Sequence, residues 1–274
     1  MIADILSDKR FIVVFIITFF IYFSGSAAAS IRFAGIKTKL LNTSYSLANV
    51  IFLIVRLSNL LQTPFLGSMV DIAYKENSLD LLRIKIHLII LASTLGSIIG
   101  IFFFSTSEII FRKWVELFDR KKSVLSTIAY ALSFKTIIFI IKSLTIPKFY
   151  LKKEYLRRVP RVVFFSCVII GAFWTTGVLS AIYASVIVPE YARTATILSG
   201  IVNGVATILF TIFLDPIVAN ITDKVYNNQE NIEYLYNVMW VNLVGTVLGT
   251  ILAQIVFLPG AIVIAYITTL FSKI

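Results

Sequence analysis

Val162 to Val188 reads VVFFSCVIIGAFWTTGVLSAIYASVIV, twenty-seven residues without a charge. A helix needs about 20 mainly apolar residues to cross the hydrocarbon layer of a bilayer. Inside lipid every backbone N–H and C=O must be satisfied by the chain itself, which leaves helices or a closed barrel. This run is continuous and does not alternate, so it is a transmembrane helix. Outward from it, similar runs recur at about 11–31, 44–70, 84–105, 195–219 and 238–271. The last is long, and is either tilted or broken at Pro259-Gly260. The whole chain agrees: 58% of its 274 residues are hydrophobic, 14% are charged, and the mean hydropathy is +0.92. A soluble domain carries about a quarter charged residues. The start, with Asp4, Asp8, Lys9 and Arg10 before a long apolar run, reads as a retained span and not as a cleaved signal.

Between the third and fourth runs the composition changes. From Glu108 to Pro160 there are twelve Lys or Arg and four Asp or Glu, which is +8 of the chain's +11. Such a block beside membrane spans faces the cytoplasm and anionic lipid, so the charge is no argument for nucleic acid. Two apolar stretches lie inside it, 124–134 and 136–141, interrupted by Lys135 and closed by Lys142. Lysines seven apart share a helical face, a pattern that fits interfacial amphipathic helices better than a seventh span. With six spans, Arg32, Lys37 and Lys39 in the loop 32–43 fall on the same side, and both termini fall outside. The acidic loop 220–237 pulls weakly the other way.

The chain also repeats itself. A shift of 152 residues carries Gly25 onto Gly177, Pro64 onto Pro216, Asp71 onto Asp223 and Tyr74 onto Tyr226; a shift of 153 carries Gly96 onto Gly249. Three-span units with an odd number of spans have opposite orientations, the inverted-repeat plan of many transporters. The expected fold is an all-α polytopic membrane protein. Six transmembrane helices form two inverted three-helix repeats, 1–106 and 162–274, joined by a basic linker, 107–161, with amphipathic helices.

The second span is the unusual one. It places Arg56 near its middle, at a cost of at least about 2.5 kcal/mol on insertion scales. Asn49, Arg56 and Asn59 lie on one face, with Gln62 about 60° beyond. Arg56 is expected to face the bundle interior or a water-filled cavity. There it either pairs with a buried acid in an interhelical seam or lines a polar path, where its fork suits an anion such as phosphate. The fifth span adds Asn203, Asp215 and Asn220, followed by Asp223. Three readings fit Asp215: the counter-ion of Arg56, a proton or cation site, or an interfacial residue. Pro216 after it invites a kink or a helix end. Glu190 and Arg193 open the fifth helix, and Asp71 ends the second. Arg32 and Lys37 end the first span, within snorkelling reach of the interface. One histidine, His87, and one cysteine, Cys167, leave no material for a metal or nucleophile centre, and both read as packed residues. No hydrolase, zinc-protease or phosphate-loop motif is present. The chain is expected to be no enzyme and to need no cofactor or metal.

Two stretches carry a family resemblance: Ile31-Arg32-Phe-Ala-Gly35-Ile-Lys37-Thr38 with Val55-Arg56-Leu-Ser-Asn59-Leu-Leu-Gln62-Thr-Pro64, and Val188-Pro189-Glu190-Tyr-Ala-Arg193 with Leu198-Ser199-Gly-Ile-Val-Asn203-Gly204 and Asp215-Pro216. Together they resemble the Amj family, bacterial membrane proteins that flip lipid II and can stand in for MurJ. The resemblance covers residues 11–270. It implies a cytoplasmic-membrane flippase for the undecaprenyl-pyrophosphate-linked peptidoglycan precursor, with lipid II and membrane lipids as partners. Alternating access, the two halves rocking about their interface, is the mechanism expected from the repeat. It supplies no site residue. From the residues themselves, Arg56, with Arg32 and Arg193, would engage the pyrophosphate. Asn49, Asn59, Gln62 and Asn203 would contact the head group. Asp215, Asp223, Asp71 or Glu190 would couple ions. The rival readings are an exporter of a small polar or anionic solute, and a non-transporting scaffold that recruits cell-wall synthesis proteins through the linker.

Overall fold

The structure, a computed structural model, describes residues 2–131 and 133–273. A short α1 (Ile2–Ser7) leads into α2 (Lys9–Ala28), α3 (Ile31–Thr38), α4 (Leu41–Lys75) and α5 (Leu79–Phe102). The linker supplies α6 (Phe104–Lys121), α7 (Val124–Ala131), α8 (Phe134–Lys142) and α9 (Lys153–Arg158). The second half holds α10 (Arg161–Ile187), a 3₁₀ turn at Pro189–Tyr191, α11 (Ala192–Ile197), α12 (Ser199–Leu209), a π turn at Phe210–Leu214, α13 (Asp215–Tyr226) and α14 (Ile232–Phe271). Among the described residues six helical segments are long and apolar enough to cross a membrane: 9–38, 41–75, 79–102, 161–187, 189–226 and 232–271. The chain is a multi-pass, all-α membrane protein.

Small residues bring the helices together. Where lipid is as apolar as the side chains, association depends on close packing. A Cβ on Gly96 of α5 would lie 2.3 Å from the Phe19 carbonyl oxygen of α2. One on Gly249 of α14 would lie 2.5 Å from the Val168 carbonyl oxygen of α10. Helices α2 and α5 run in the same direction, Asp8 meeting Lys85 and Phe19 meeting Gly96. Helices α10 and α14 also run together, Cys167 meeting Gly245 and Ser180 bonding the Phe257 carbonyl. Between the halves, α5 lies antiparallel to α14: His87 bonds Gln254 at 2.7 Å, and Phe104, just past α5, packs on Tyr236. His87 and Cys167 are thus packing residues. At the start of α2, Asp8 caps the helix through the Arg10 N–H and binds Lys85 at 2.7 Å. Burial pushes its carboxyl up, but the Lys85 ammonium and Arg10 outweigh it and hold it below the usual carboxylate range.

One sequence expectation is corrected and two open alternatives are resolved. Residues 31–38 are helical and extend the first span, so the loop expected over 32–43 shrinks to Lys39 and Leu40. Lys39 closes α3 in the left-handed region. The last span stays unbroken through Pro259. Pro216 ends no helix; the chain absorbs it with the π turn just upstream, where the missing N–H leaves the α-ladder a bond short. In the linker, α7 and α8 span only about 12–14 Å each at 1.5 Å per residue, too little to cross the bilayer. Leu132 and the side chain of Lys135, in the stretches expected to be amphipathic, lie outside the described residues.

Alanine at either close glycine contact tests this packing. Gly67 faces open space, so Gly67→Ala should raise stability by up to about 1 kcal/mol through helix propensity. Gly96→Ala and Gly249→Ala should lower it by about 1–3 kcal/mol, because steric overlap outweighs the same gain. Unfolding of the purified protein in detergent reads both signs.

Candidate functional site

Helix α4 has three faces. Ser44, Ala48, Gln62, Leu66, Met69 and Ala73 are buried. Leu53, Leu57, Leu61 and Phe65, spaced four apart, form an exposed apolar ridge. Beside that ridge runs a polar stripe: Asn42, Asn49, Arg56 and Thr63, spaced seven apart and drifting over only about 60°. Asn42, Asn49 and Arg56 are exposed, and Thr63 is half-buried. At 1.5 Å per residue the stripe is about 32 Å long, the thickness of the hydrocarbon layer. Only 11% of this span's most apolar window is buried, against 50% for α5 and for α10. Helix α4 is therefore a flank of the bundle and not its core. Arg56 makes no ion pair among the described residues. That removes the expected pairing with Asp215 or another buried acid, and places Arg56 on an open flank instead of the bundle interior.

The other polar residues of α4 divide. Gln62 is buried, accepts from Thr18 of α2 at 3.0 Å and donates to Asn59 at 3.0 Å. Both belong to an interhelical seam. In the fifth span the Asn203 side chain is pressed onto Gly177 of α10, its Oδ1 buried with no hydrogen-bond partner among the described residues.

At the linker end the halves are joined by charge. The Arg32 guanidinium of α3 binds Asp215 at the head of α13 at 2.7 Å, donates to the Tyr45 hydroxyl at 3.3 Å, and stacks 5.3 Å from that ring's centre. Nearby, the Tyr226 hydroxyl donates to the Lys39 carbonyl. A cavity of about 450 Å³ opens there, lined by Lys39–Thr43, Asp223, Tyr226 and Asn227. Glu190, Arg193 and Asp71 are exposed and lie toward the opposite end. The expected site residues thus form three levels: Arg32, Asp215 and Asp223 at the linker end, Arg56 and Asn49 at mid-depth, Arg193, Glu190 and Asp71 at the far end. They do not converge on one pocket.

A second junction escaped sequence reasoning. Glu108 of α6 is buried, bound by Lys37 of α3 at 2.6 Å and by the Tyr236 hydroxyl of α14 at 2.9 Å, with Arg112 at 3.4 Å. Tyr236 stacks on Phe33 at 4.2 Å. One acid thereby ties the first half, the linker and the second half. Its signal was present: Glu108 is the one charge between Phe104 and Phe111, just past the end of an apolar span, where an acid taken out of water must find a cation.

A family model described as "Amj: Alternate to MurJ" matches residues 17–268. The lipid II flippase Amj of Bacillus subtilis (strain 168) is 33% identical over 246 residues, covering 89% of this chain and 91% of that protein. No solved structure matches the chain significantly.

The Arg32–Asp215 junction has a direct test. The Asp215 side chain is 44% exposed, so solvent screening limits the pair to about 1 kcal/mol. Arg32→Gln and Asp215→Asn should each destabilise, and the double variant should cost no more than the larger single change. A double-mutant cycle on unfolding in detergent measures that coupling.

Proposed function

The chain belongs to the Amj family, and we propose on that premise that it is a lipid II flippase of the bacterial cytoplasmic membrane, moving the polyprenyl-pyrophosphate-linked peptidoglycan precursor from the inner to the outer leaflet. It acts as a transporter, without covalent chemistry. The observation that carries this reading is the α4 flank: a polar stripe of membrane length, with an arginine near its middle that has no ion pair among the described residues, beside an apolar ridge. A charged diphosphate cannot enter hydrocarbon alone, since an unpaired ion there costs tens of kcal/mol by Born solvation. Along the stripe its oxygens meet Asn42, Asn49 and Thr63 and, at mid-depth, the Arg56 fork. The polyprenyl tail stays in lipid against Leu53, Leu57 and Leu61. Head and tail thus travel on adjacent faces of one helix.

The two halves act as inverted three-helix repeats, 1–106 and 162–274, about the linker 107–161. Three observations support this. The Phe19–Gly96 contact in the first half is answered by Gly171–Gly249 in the second, at the shifts of 152 and 153 that relate the sequences. Each half pairs its first and third spans in parallel. Helix α5 lies antiparallel to α14. The linker end faces the cytoplasm, with three basic residues in 32–39 and twelve between 108 and 160. Rocking of one repeat against the other requires the Arg32–Asp215 pair to part. Arg32 is then free for the pyrophosphate as it enters at that end, and Arg193 stands at the exit.

Reconstituted in liposomes, the protein should exchange labelled lipid II between leaflets. Arg56→Ala should slow exchange about tenfold or more, the worth of one charge-assisted hydrogen bond of about 1.5 kcal/mol. Arg56→Lys, which keeps the charge without the fork, should fall between. Full activity in a folded Arg56→Ala protein would remove Arg56 from the path. No exchange by the wild type, with or without an imposed pH gradient or potential, would favour the solute-exporter or scaffold readings.

A further inference from the structure

The linker carries an apolar surface that the transport path does not use. On α8, Phe134, Ile137, Ile138 and Ile141 are exposed at 74, 49, 41 and 62%. Their spacing of three and four puts them on one helical face. The opposite face is the packed one: Thr136 and Ser143 are buried, and Phe139 lies under the Lys113 ammonium of α6 at 4.0 Å. Helix α8 is therefore apolar toward its surroundings by design of the sequence, not for want of packing.

The chain fixes the depth of this surface. The segment after α8 is pinned to the first turn of α6, immediately beyond the end of the α5 span. The Thr145 N–H donates to Thr106 Oγ1 at 3.1 Å, and the Lys148 N–H donates to Ser105 Oγ at 2.8 Å. Phe149 then packs on Phe104 and on Trp240 of α14. Trp240, Tyr150 and Tyr236 gather at this level, where amphipathic rings mark a membrane–water boundary. Between the segment and the end of α5 lies a cavity of about 270 Å³, lined by Phe102, Phe103, Thr106, Leu144, Thr145 and Ile146. Lys142 and Lys148, both exposed, flank it in sequence.

We propose that this surface is a binding site for anionic phospholipid of the cytoplasmic leaflet. Acyl chains lie along the α8 face and enter the Phe102–Ile146 cavity, while Lys142 and Lys148 hold the headgroup phosphate. An aqueous protein partner would find the apolar face at bilayer depth and ringed by basic charge; anionic lipid matches both. The site goes beyond the flippase reading and does not depend on it.

The test uses the full-length protein in nanodiscs of phosphatidylcholine, with and without phosphatidylglycerol. In a Cys167→Ala background, Ile141→Cys carries an environment-sensitive fluorophore. The site predicts blue-shifted emission, quenching by doxyl-labelled lipid and none by iodide. Native mass spectrometry of the unmodified protein should show phosphatidylglycerol retained over phosphatidylcholine. In the Lys142→Gln/Lys148→Gln double variant that preference should fall by about thirty-fold, each lysine near an anionic surface contributing about five-fold. Iodide quenching in both membranes would overturn the proposal. So would protection that appears only at high protein density, which would assign the face to a second copy, or a lipid preference that the double variant keeps.

Discussion

Hydrocarbon offers no hydrogen-bond partner, and the architecture answers to that constraint. It makes every crossing segment a helix. It makes close glycine contact the adhesive, since no apolar driving force separates a neighbouring helix from lipid. It also ranks the polar residues by what they find. Gln62, Thr18 and Asn59 find one another; Glu108 finds Lys37 and Tyr236; Arg32 finds Asp215. Arg56 finds none of these and stays on an open flank. Against that background a lone arginine at mid-depth is meaningful, because the buried or half-buried charges of the neighbouring helices at the linker end are paired.

The two junctions at the linker end divide labour. Arg32–Asp215 is half-exposed and joins only the two halves, so it is suited to part and re-form. The Glu108 cluster is buried and holds three segments at once. Breaking it would strand a carboxylate without water, so it is suited to persist. In the rocking motion proposed above, the first contact would yield and the second would be the one about which the rest turns.

The six spans were legible because each is a property of a run, continuous apolarity over the thickness of a membrane. Pair partners were not. Arg32 and Asp215 lie 183 residues apart, and Lys37 and Glu108 lie 71 apart; helical spacing says which face a side chain takes but not what stands across from it. The sequence pattern grouped Gln62 with Arg56, yet the roughly 120° of rotation between them put one in a seam and the other in the open. The loop expected over 32–43 failed for a local reason. Arg32 and Lys37 looked like loop charges, but their partners on α13 and α6 let the helix continue through them. The response to proline also differed between halves, for α4 runs through Pro64 without a break while the fifth span widens into a π turn before Pro216.

The open flank of α4 also bears on pharmacology. A site reached from the bilayer sees a ligand at its concentration in lipid, not in water. An anionic amphiphile that partitions a thousandfold into membrane would compete there as though it were a thousandfold more abundant. Potency against such a helix would follow the partition coefficient as much as the fit.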